Sequence, residues 1–114
     1  MNNYEQKSSF LIKIALSIKG GNVCEVKIKD KNVLCINTIA LIPSKTGTNS
    51  ITIRMTTSSG KSAFICNLNE QSNMYQTQTK LEFFEKEIVS FEAFGTGEVH
   101  LSGVLFFFDS KKEN

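Results

Sequence analysis

The strongest constraint on this chain is the alternation of apolar and polar residues in short segments along most of its length. In residues 9–18, every second position from Phe10 to Ile18 is apolar, which places these side chains on one face of a strand. About eight such segments follow one another, separated by glycine, asparagine, aspartate and serine turns. No window keeps a helical period over three turns, so the sequence predicts an all-β domain with very little helix.

The predicted strands cover residues 9–18, 23–29, 33–42, 51–56, 63–68, 77–84, 88–94 and 98–108. Eight strands in a chain of 114 residues indicate a single β-sandwich, and eight-stranded sandwiches are commonly jelly rolls. We expect a flexible amino end at residues 1–8, the domain at residues 9–109 and a polar tail at residues 110–114. A longer polar loop is expected over residues 69–76.

The composition excludes several classes of protein. Thirteen basic residues against 11 acidic ones give a formal charge of +2, which is too even for electrostatics alone to identify a nucleic acid, a membrane or an acidic substrate as the partner. We expect no direct nucleic-acid partner and no membrane partner. The longest apolar run, residues 104–108, is far too short to span a bilayer, and Lys13 interrupts the only stretch that resembles a secretory signal. Cys24, Cys35 and Cys66 are odd in number and form no C-x-x-C pair, so we expect a reducing, intracellular setting without disulfides.

The charge is divided unevenly along the chain. Residues 1–57 contain eight basic and three acidic residues, whereas residues 58–114 contain five basic and eight acidic residues. This division is consistent with an acidic patch that meets a basic partner. It is equally consistent with solvated outer faces of strands from both halves.

The last predicted strand carries large apolar side chains on both faces. Alternation places Leu105 and Phe107 on one face and Val104, Phe106 and Phe108 on the other. A sandwich core covers only one face of a strand, so the second face needs another cover. A second copy of the chain is the simplest cover. The alternative is an edge strand shielded by the polar loop or by the amino-terminal residues.

No catalytic or metal site is predicted. His100 and Ser102 share one strand face, but no acidic residue that could orient the histidine accompanies them in the sequence. The Gly95-Thr96-Gly97 turn leads into a strand, whereas a dinucleotide site needs a helix there. One histidine and three scattered cysteines offer no ligand spacing, so we expect no enzyme activity, metal or cofactor.

The string F-E-A-F-G-T-G-E-V-H-L-S-G at residues 91–103 resembles the G-x-G-x-V-H-(I/L)-S-G hairpin of nucleoplasmin-like core domains. These domains occur in nucleoplasmin histone chaperones and at the amino end of some FKBP-type prolyl isomerases. A looser similarity extends over most of the chain, including Gly60-Lys61 before F-I-C-N-L at residues 64–68. The resemblance implies an eight-stranded jelly-roll β-sandwich, assembly as a ring-shaped homopentamer, histone binding and a nuclear or nucleolar location.

The resemblance also implies roles for particular residues. Gly95 and Gly97 would form the turn, and Gly103 would allow a neighbouring chain to approach closely. The subunit interface is then expected to include Gly95, Gly97, Val99, His100, Leu101, Ser102, Gly103, Phe106 and Phe107. The acidic residues expected to bind histones are Glu82, Glu85, Glu87 and Glu92.

The departures from the family limit these expectations. The loop at residues 44–49 lacks the A-K-D-E motif used between pentamers, so decamers are not expected, and the chain contains no acidic tract. The leading hypothesis is an oligomeric histone chaperone core that binds the dimer-forming histone pair, the tetramer-forming pair or both. The alternatives are a ligand-binding or capsid-like structural jelly roll, and the oligomerisation domain of a larger prolyl isomerase whose catalytic domain lies beyond Asn114.

Overall fold

The computed structural model describes the backbone of residues 8–109 and the side chains of residues 11–108. The expected polar tail and all of the expected amino end except Ser8 lie outside the described residues. The strands are β1 Ser8–Lys19, β2 Val23–Lys27, β3 Asn32–Leu41, β4 Ser50–Thr57, β5 Ser62–Asn69, β6 Gln76–Phe83, β7 Ile88–Gly95 and β8 Glu98–Asp109. The only helical segment in residues 8–109 is the 3₁₀ turn Glu70–Ser72, so no helix in this part of the chain could cross a membrane.

The eight strands form two four-stranded antiparallel sheets. The first sheet has the order β1-β8-β3-β6 and the second has the order β2-β7-β4-β5. Every step between consecutive strands crosses to the other sheet except the step from β4 to β5, and the last strand pairs with the first. This order is that of an eight-stranded jelly roll, so the predicted all-β sandwich is confirmed.

The strand limits differ from the prediction by at most two residues. β2 ends at Lys27 instead of Lys29, because Ile28 leaves the ladder and bonds the β6–β7 turn. The Ile28 amide donates to the Glu87 carbonyl at 2.9 Å, and the Lys86 amide donates to the Ile28 carbonyl at 2.8 Å. These bonds fix one end of the sandwich.

The core lies between the inner faces of the two sheets. Phe83 and Phe91 meet edge to face there, with ring centroids 5.9 Å apart. In β3 the alternation shifts at a bulge around Asn37, so that Ile36 and Ile39 both point inward although three positions separate them. The most deeply buried side chains are Phe91, Leu34, Ile36, Ile39, Ile51, Ile53, Leu68, Leu101, Val89 and Val99.

β8 lies inside its sheet, between β1 and β3. The alternative that the last strand is a shielded edge strand is therefore wrong. Its register with β1 is continuous from Glu98 to Asp109, so the alternation has no break. Leu101 is fully buried and Leu105 packs against the core, so Phe107 lies on the inner side and Phe106 on the outer side.

A buried carboxylate holds the loop at residues 44–49. Glu70 is 4% exposed, and its oxygens accept the Ser44 hydroxyl at 2.6 Å, the Ser44 amide at 3.1 Å and the Asn49 amide at 3.1 Å. The Ser44 hydroxyl and amide lower the pKa of Glu70 and outweigh the opposite effect of burial; the Asn49 amide also lowers it. The region predicted as a plain polar loop is therefore anchored by an ionised side chain.

The variant Glu70→Gln is expected to lower the Tm at neutral pH, since the amide keeps the shape of the carboxylate but loses its charge. The pKa of Glu70 is lower in the folded chain than in the unfolded one, so its contribution is complete above about 4.5 and is lost as the pH falls through the folded value. Thermal melts of both proteins from neutral pH down to pH 3 should therefore converge at the acid end. A difference in Tm that stays constant with pH would contradict this role.

Candidate assembly and binding surfaces

The connection between β7 and β8 needs its two glycines for the turn. Gly95 and Gly97 have φ angles of 123° and 103°, and a side chain at Gly95 would place Cβ 2.1 Å from the Ser50 carbonyl oxygen. The Thr96 amide donates to the same Ser50 carbonyl at 2.8 Å. The turn is thus packed directly against the start of β4.

Gly103 allows two strands of the same chain to meet. A Cβ at this position would lie 1.8 Å from the Cys35 carbonyl oxygen and 2.9 Å from the Ile36 Cα. The contact occurs where β3 begins its bulge. The close approach that the sequence suggested for a neighbouring chain is therefore made by β3 of the chain itself.

The other expected interface residues divide between core and surface. Val99 and Leu101 are completely buried in the single chain, so they have no surface to offer to a second copy. His100 is exposed, and Ser102 and Phe106 are partly exposed on the outer face of the first sheet. Of the residues expected at the subunit interface, His100, Ser102 and Phe106 are therefore the ones whose side chains reach this outer face.

An apolar patch covers part of that face. Phe106 lies directly between its pairing partners, Leu11 of β1 and Val33 of β3. Val104 lies two residues before Phe106 on β8 and therefore on the same face. Leu11 is 50% exposed although it is aliphatic, and the other three are half-buried. We call Leu11, Val33, Val104 and Phe106 the outer patch. A single chain leaves it in water, which costs about 25 cal/mol for each Å² of apolar area.

A small polar cluster lies beyond the outer patch on the same face. The Ser17 hydroxyl donates to Glu98, whose Oε2 lies 3.6 Å from Nε2 of His100. The Ser17 hydrogen bond is the main cause that lowers the pKa of Glu98; His100 and Lys19 add to it, and burial opposes it. Serine, histidine and glutamate therefore do meet, through a glutamate that the sequence did not associate with His100. The glutamate lies between the other two, so this is not the serine–histidine–acid order of a hydrolase.

The outer face of the second sheet has a different patch. The Arg54 guanidinium carbon lies 5.3 Å from the Phe94 ring centroid and 5.9 Å from that of Phe64, and Nη2 donates to Glu92 at 2.7 Å. Phe64 is 65% exposed, and nearby Val23 is also exposed. We call Phe64, Phe94 and Val23 the aromatic patch. Sequence reasoning missed it because its members come from three strands that only the register brings together.

The four glutamates expected to bind histones occupy three places. Glu92 is paired with Arg54 on the second sheet, and Glu82 is exposed on β6 at the edge of the first sheet. Glu85 and Glu87 lie in the β6–β7 turn, where they accept the amides of Lys31 at 2.6 Å and Phe84 at 2.8 Å. Among residues 11–108, Glu92 bonds a cation and Glu85 and Glu87 bond backbone amides, whereas the carboxylate of Glu82 does neither.

The cysteines do not form a site. Burial raises the pKa of the Cys66 thiol to about 11, and burial, with the charge of Glu82 added, also raises that of Cys35. No group of three potential metal ligands occurs among the described side chains.

The family model described as "Nucleoplasmin-like domain" matches residues 15–106. The match covers most of the chain and all of strands β2 to β7, and it includes the Gly95–Gly103 region whose geometry is given above. The chain belongs to the nucleoplasmin-like domain family. The resemblance suggested by residues 91–103 is thereby confirmed.

Solved structures with this fold include two nucleoplasmin-like domains from Drosophila. The NLP core, whose crystal structure was described for its insight into pentamer formation and histone binding, is 17% identical; the alignment covers 82% of this chain and 96% of that one, with a TM-score of 0.71. The nucleoplasmin-like amino-terminal domain of FKBP39 is 12% identical, with 91% and 95% covered and a TM-score of 0.63. No curated protein sequence matches the chain significantly.

A viral protein shares the architecture more distantly. The capsid of Helicobacter pylori bacteriophage KHP30 is 13% identical, with 89% of this chain and 92% of that chain covered and a TM-score of 0.52. At this identity the similarity shows the jelly-roll fold alone.

Nucleoplasmin-like domains are non-catalytic histone chaperone domains associated with the nucleus, so this domain alone is not an enzyme.

Proposed function

We propose that this nucleoplasmin-like domain forms a pentameric ring that acts as a nuclear chaperone for histones. The observation that carries the proposal is the family match over residues 15–106, on a chain that folds as one eight-stranded jelly roll. The similarity to the Drosophila NLP core, described for pentamer formation and histone binding, supports the same function.

The two outer faces of the sandwich support assembly into a ring. A closed ring with rotational symmetry joins two different surfaces of each subunit. The outer patch on the first sheet and the aromatic patch on the second are two different apolar surfaces on opposite sides of the chain. In this proposal His100 and Ser102, which lie beside the outer patch, also belong to the subunit contact.

Histone binding in this proposal depends on repetition. Each subunit presents Glu82 on the β6 edge, together with Glu85 and Glu87 in the following turn. One such group binds a basic protein weakly, but five copies on one rigid ring raise the effective concentration of acidic contacts. The partner is the dimer-forming histone pair, the tetramer-forming pair or both.

The variant Glu82→Gln tests this surface. Losing one exposed carboxylate in each of five subunits is expected to weaken histone binding severalfold at low salt, and less at high salt because exposed charges are screened. Glu25→Gln is the matched control, since Glu25 is also exposed but lies on β2 of the other sheet. Titration of the labelled ring with histone dimers and tetramers gives both affinities. Equal affinities for the two variants would contradict the assignment of Glu82.

The similarity to the FKBP39 amino-terminal domain favours a second candidate function. In that case the domain assembles a longer chain and binds no histone itself. The two candidates differ in one result: an intact oligomer that forms no complex with histones even at low salt would support the second and exclude the first.

A further inference from the structure

A cleft at one end of the sandwich combines exposed aromatic rings with carboxylates. Its volume is about 440 Å³, and Phe84 and Phe108, which are 53% and 42% exposed, line it together with Asp30, Lys31 and Glu85. The loop before β3, the turn after β6 and the end of β8 each supply part of the lining. Three segments that are distant in the sequence therefore meet at this cleft.

Hydrogen bonds fix the walls of the cleft. The Lys31 amide donates to Oε1 of Glu85 at 2.6 Å, and the Phe108 amide donates to the Lys31 carbonyl at 2.9 Å. Both backbone polar groups of Phe84 are also bonded: its amide donates to Oε1 of Glu87 at 2.8 Å, and its carbonyl accepts the Glu87 amide at 3.1 Å. The backbone that carries the two rings and the Glu85 carboxylate is thus in place before any ligand binds, which reduces the entropy lost on binding.

The charges that line the cleft favour a cation. Asp30 and Glu85 give two negative charges against one positive charge from Lys31. The Asp30 carboxylate makes no hydrogen bond and no ion pair with any side chain or backbone group of residues 11–108. Lys29 and Lys86 are neighbours of these residues in the sequence but do not line the cleft. A positive group that enters the cleft would therefore meet an unpaired carboxylate beside two exposed rings.

Rings and carboxylates together select the kind of ligand. An apolar side chain would cover the rings but would displace water from two carboxylates and leave them without a partner. A cation would satisfy both, because the face of an aromatic ring attracts positive charge as a carboxylate does. The guanidinium group of arginine fits best, since it is planar, stacks on rings and pairs with a carboxylate through two donors at once. The ammonium group of lysine is compact and strongly hydrated instead.

We propose that this cleft binds an arginine side chain of a basic partner protein, with the guanidinium against the rings of Phe84 and Phe108 and paired to Asp30. The inference deepens the proposed function and rests on it for the identity of the partner, a histone. Val33 lines the cleft and also belongs to the outer patch, so in the ring the cleft would lie beside the subunit contact. Five copies would act together, which compensates for weak binding at each one.

The variant Phe84→Trp supplies a direct probe, because the chain contains no tryptophan. The indole keeps a flat ring in the cleft and attracts cations more strongly than a phenylalanine ring does. Its fluorescence is expected to change saturably when a short glycine–arginine peptide is added to the 114-residue chain, and much less with the matching glycine–lysine peptide. Met74→Trp is the matched control: Met74 is 52% exposed but lies outside the cleft, so its fluorescence should not respond.

Three changes made in the Phe84→Trp protein separate the contributions to binding. Phe108→Leu keeps an apolar side chain but removes the second ring, and should weaken peptide binding about threefold. Asp30→Asn should weaken it by a similar factor. Lys31→Asn should tighten binding about twofold, since it removes the cation from the lining and asparagine tolerates the left-handed φ of 64° at this position. Thermal melts check that each variant stays folded.

Histone binding separates this inference from the proposed function. If histones bind the wild-type chain but the arginine peptide leaves the Phe84→Trp fluorescence unchanged, the cleft is not an arginine site, although the proposed function stands. If the peptide binds saturably and histones do not bind, the cleft remains an arginine site and the proposed function fails. Equal responses to the arginine and lysine peptides, or weaker peptide binding after Lys31→Asn, would overturn the proposal.

Discussion

We expect the variant Phe106→Asp to be a folded monomer. Phe106 is at the centre of the outer patch, between Leu11 and Val33, and points away from the core. Within a single chain the aspartate would lie at a half-exposed position, so the fold should survive. In an assembled ring it would be buried unpaired against an apolar surface, which costs several kcal/mol at every contact. Size-exclusion chromatography with light scattering measures the mass, and circular dichroism measures the fold.

Two further variants make this test specific. Phe84→Asp introduces the same change at an exposed phenylalanine outside both patches and should keep the oligomer. Phe107→Asp places the charge on the inner side of β8, next to the position of Leu105, and should instead lower the Tm. If Phe106→Asp and Phe107→Asp both keep the oligomeric state and the Tm of the parent protein, the two faces of β8 are not covered as we propose.

The variant Gly103→Ala is expected to destabilise the fold by more than about 4 kcal/mol, which is exceptional for a single methyl group. The new Cβ would lie 1.8 Å from the Cys35 carbonyl oxygen, and a backbone atom cannot move aside as a flexible side chain can. β3 and β8 would have to separate at the bulge, in the middle of the first sheet. Urea unfolding monitored by circular dichroism gives the free energy.

The matched control is Gly60→Ala. Gly60 also has a positive φ of 98°, but nothing lies within 4 Å of a Cβ there. This variant should lose only the conformational preference, about 1–2 kcal/mol. Should Gly103→Ala prove no more costly than Gly60→Ala, the close contact between β8 and β3 would not be a requirement of the fold.

The strands were predictable because alternation is a local property of the sequence. The limits of the eight predicted segments differ from the observed strands by at most two residues, and parity alone places Phe106 and Phe107 on opposite faces of β8. Which of the two points outward is known only from the burial of Leu101 and Leu105 in the structure. The bulge at Asn37 was not predictable, since it breaks the parity between Ile36 and Ile39. The position of β8 between β1 and β3 also depends on pairing between distant parts of the chain, which alternation does not encode.

The surfaces were less predictable than the strands. Arg54, Phe64 and Phe94 belong to three strands, and they meet only through the register. The four glutamates form one group in the sequence, but the turn between β6 and β7 distributes them over three places.

The central claim is that five copies of this domain close into a ring through their outer faces. Native mass spectrometry of the 114-residue chain at low micromolar concentration tests it most directly. We expect a dominant species of five chains of 12.7 kDa each, which the Phe106→Asp change reduces to one chain. A wild-type protein that remains a monomer over the whole concentration range would contradict the claim.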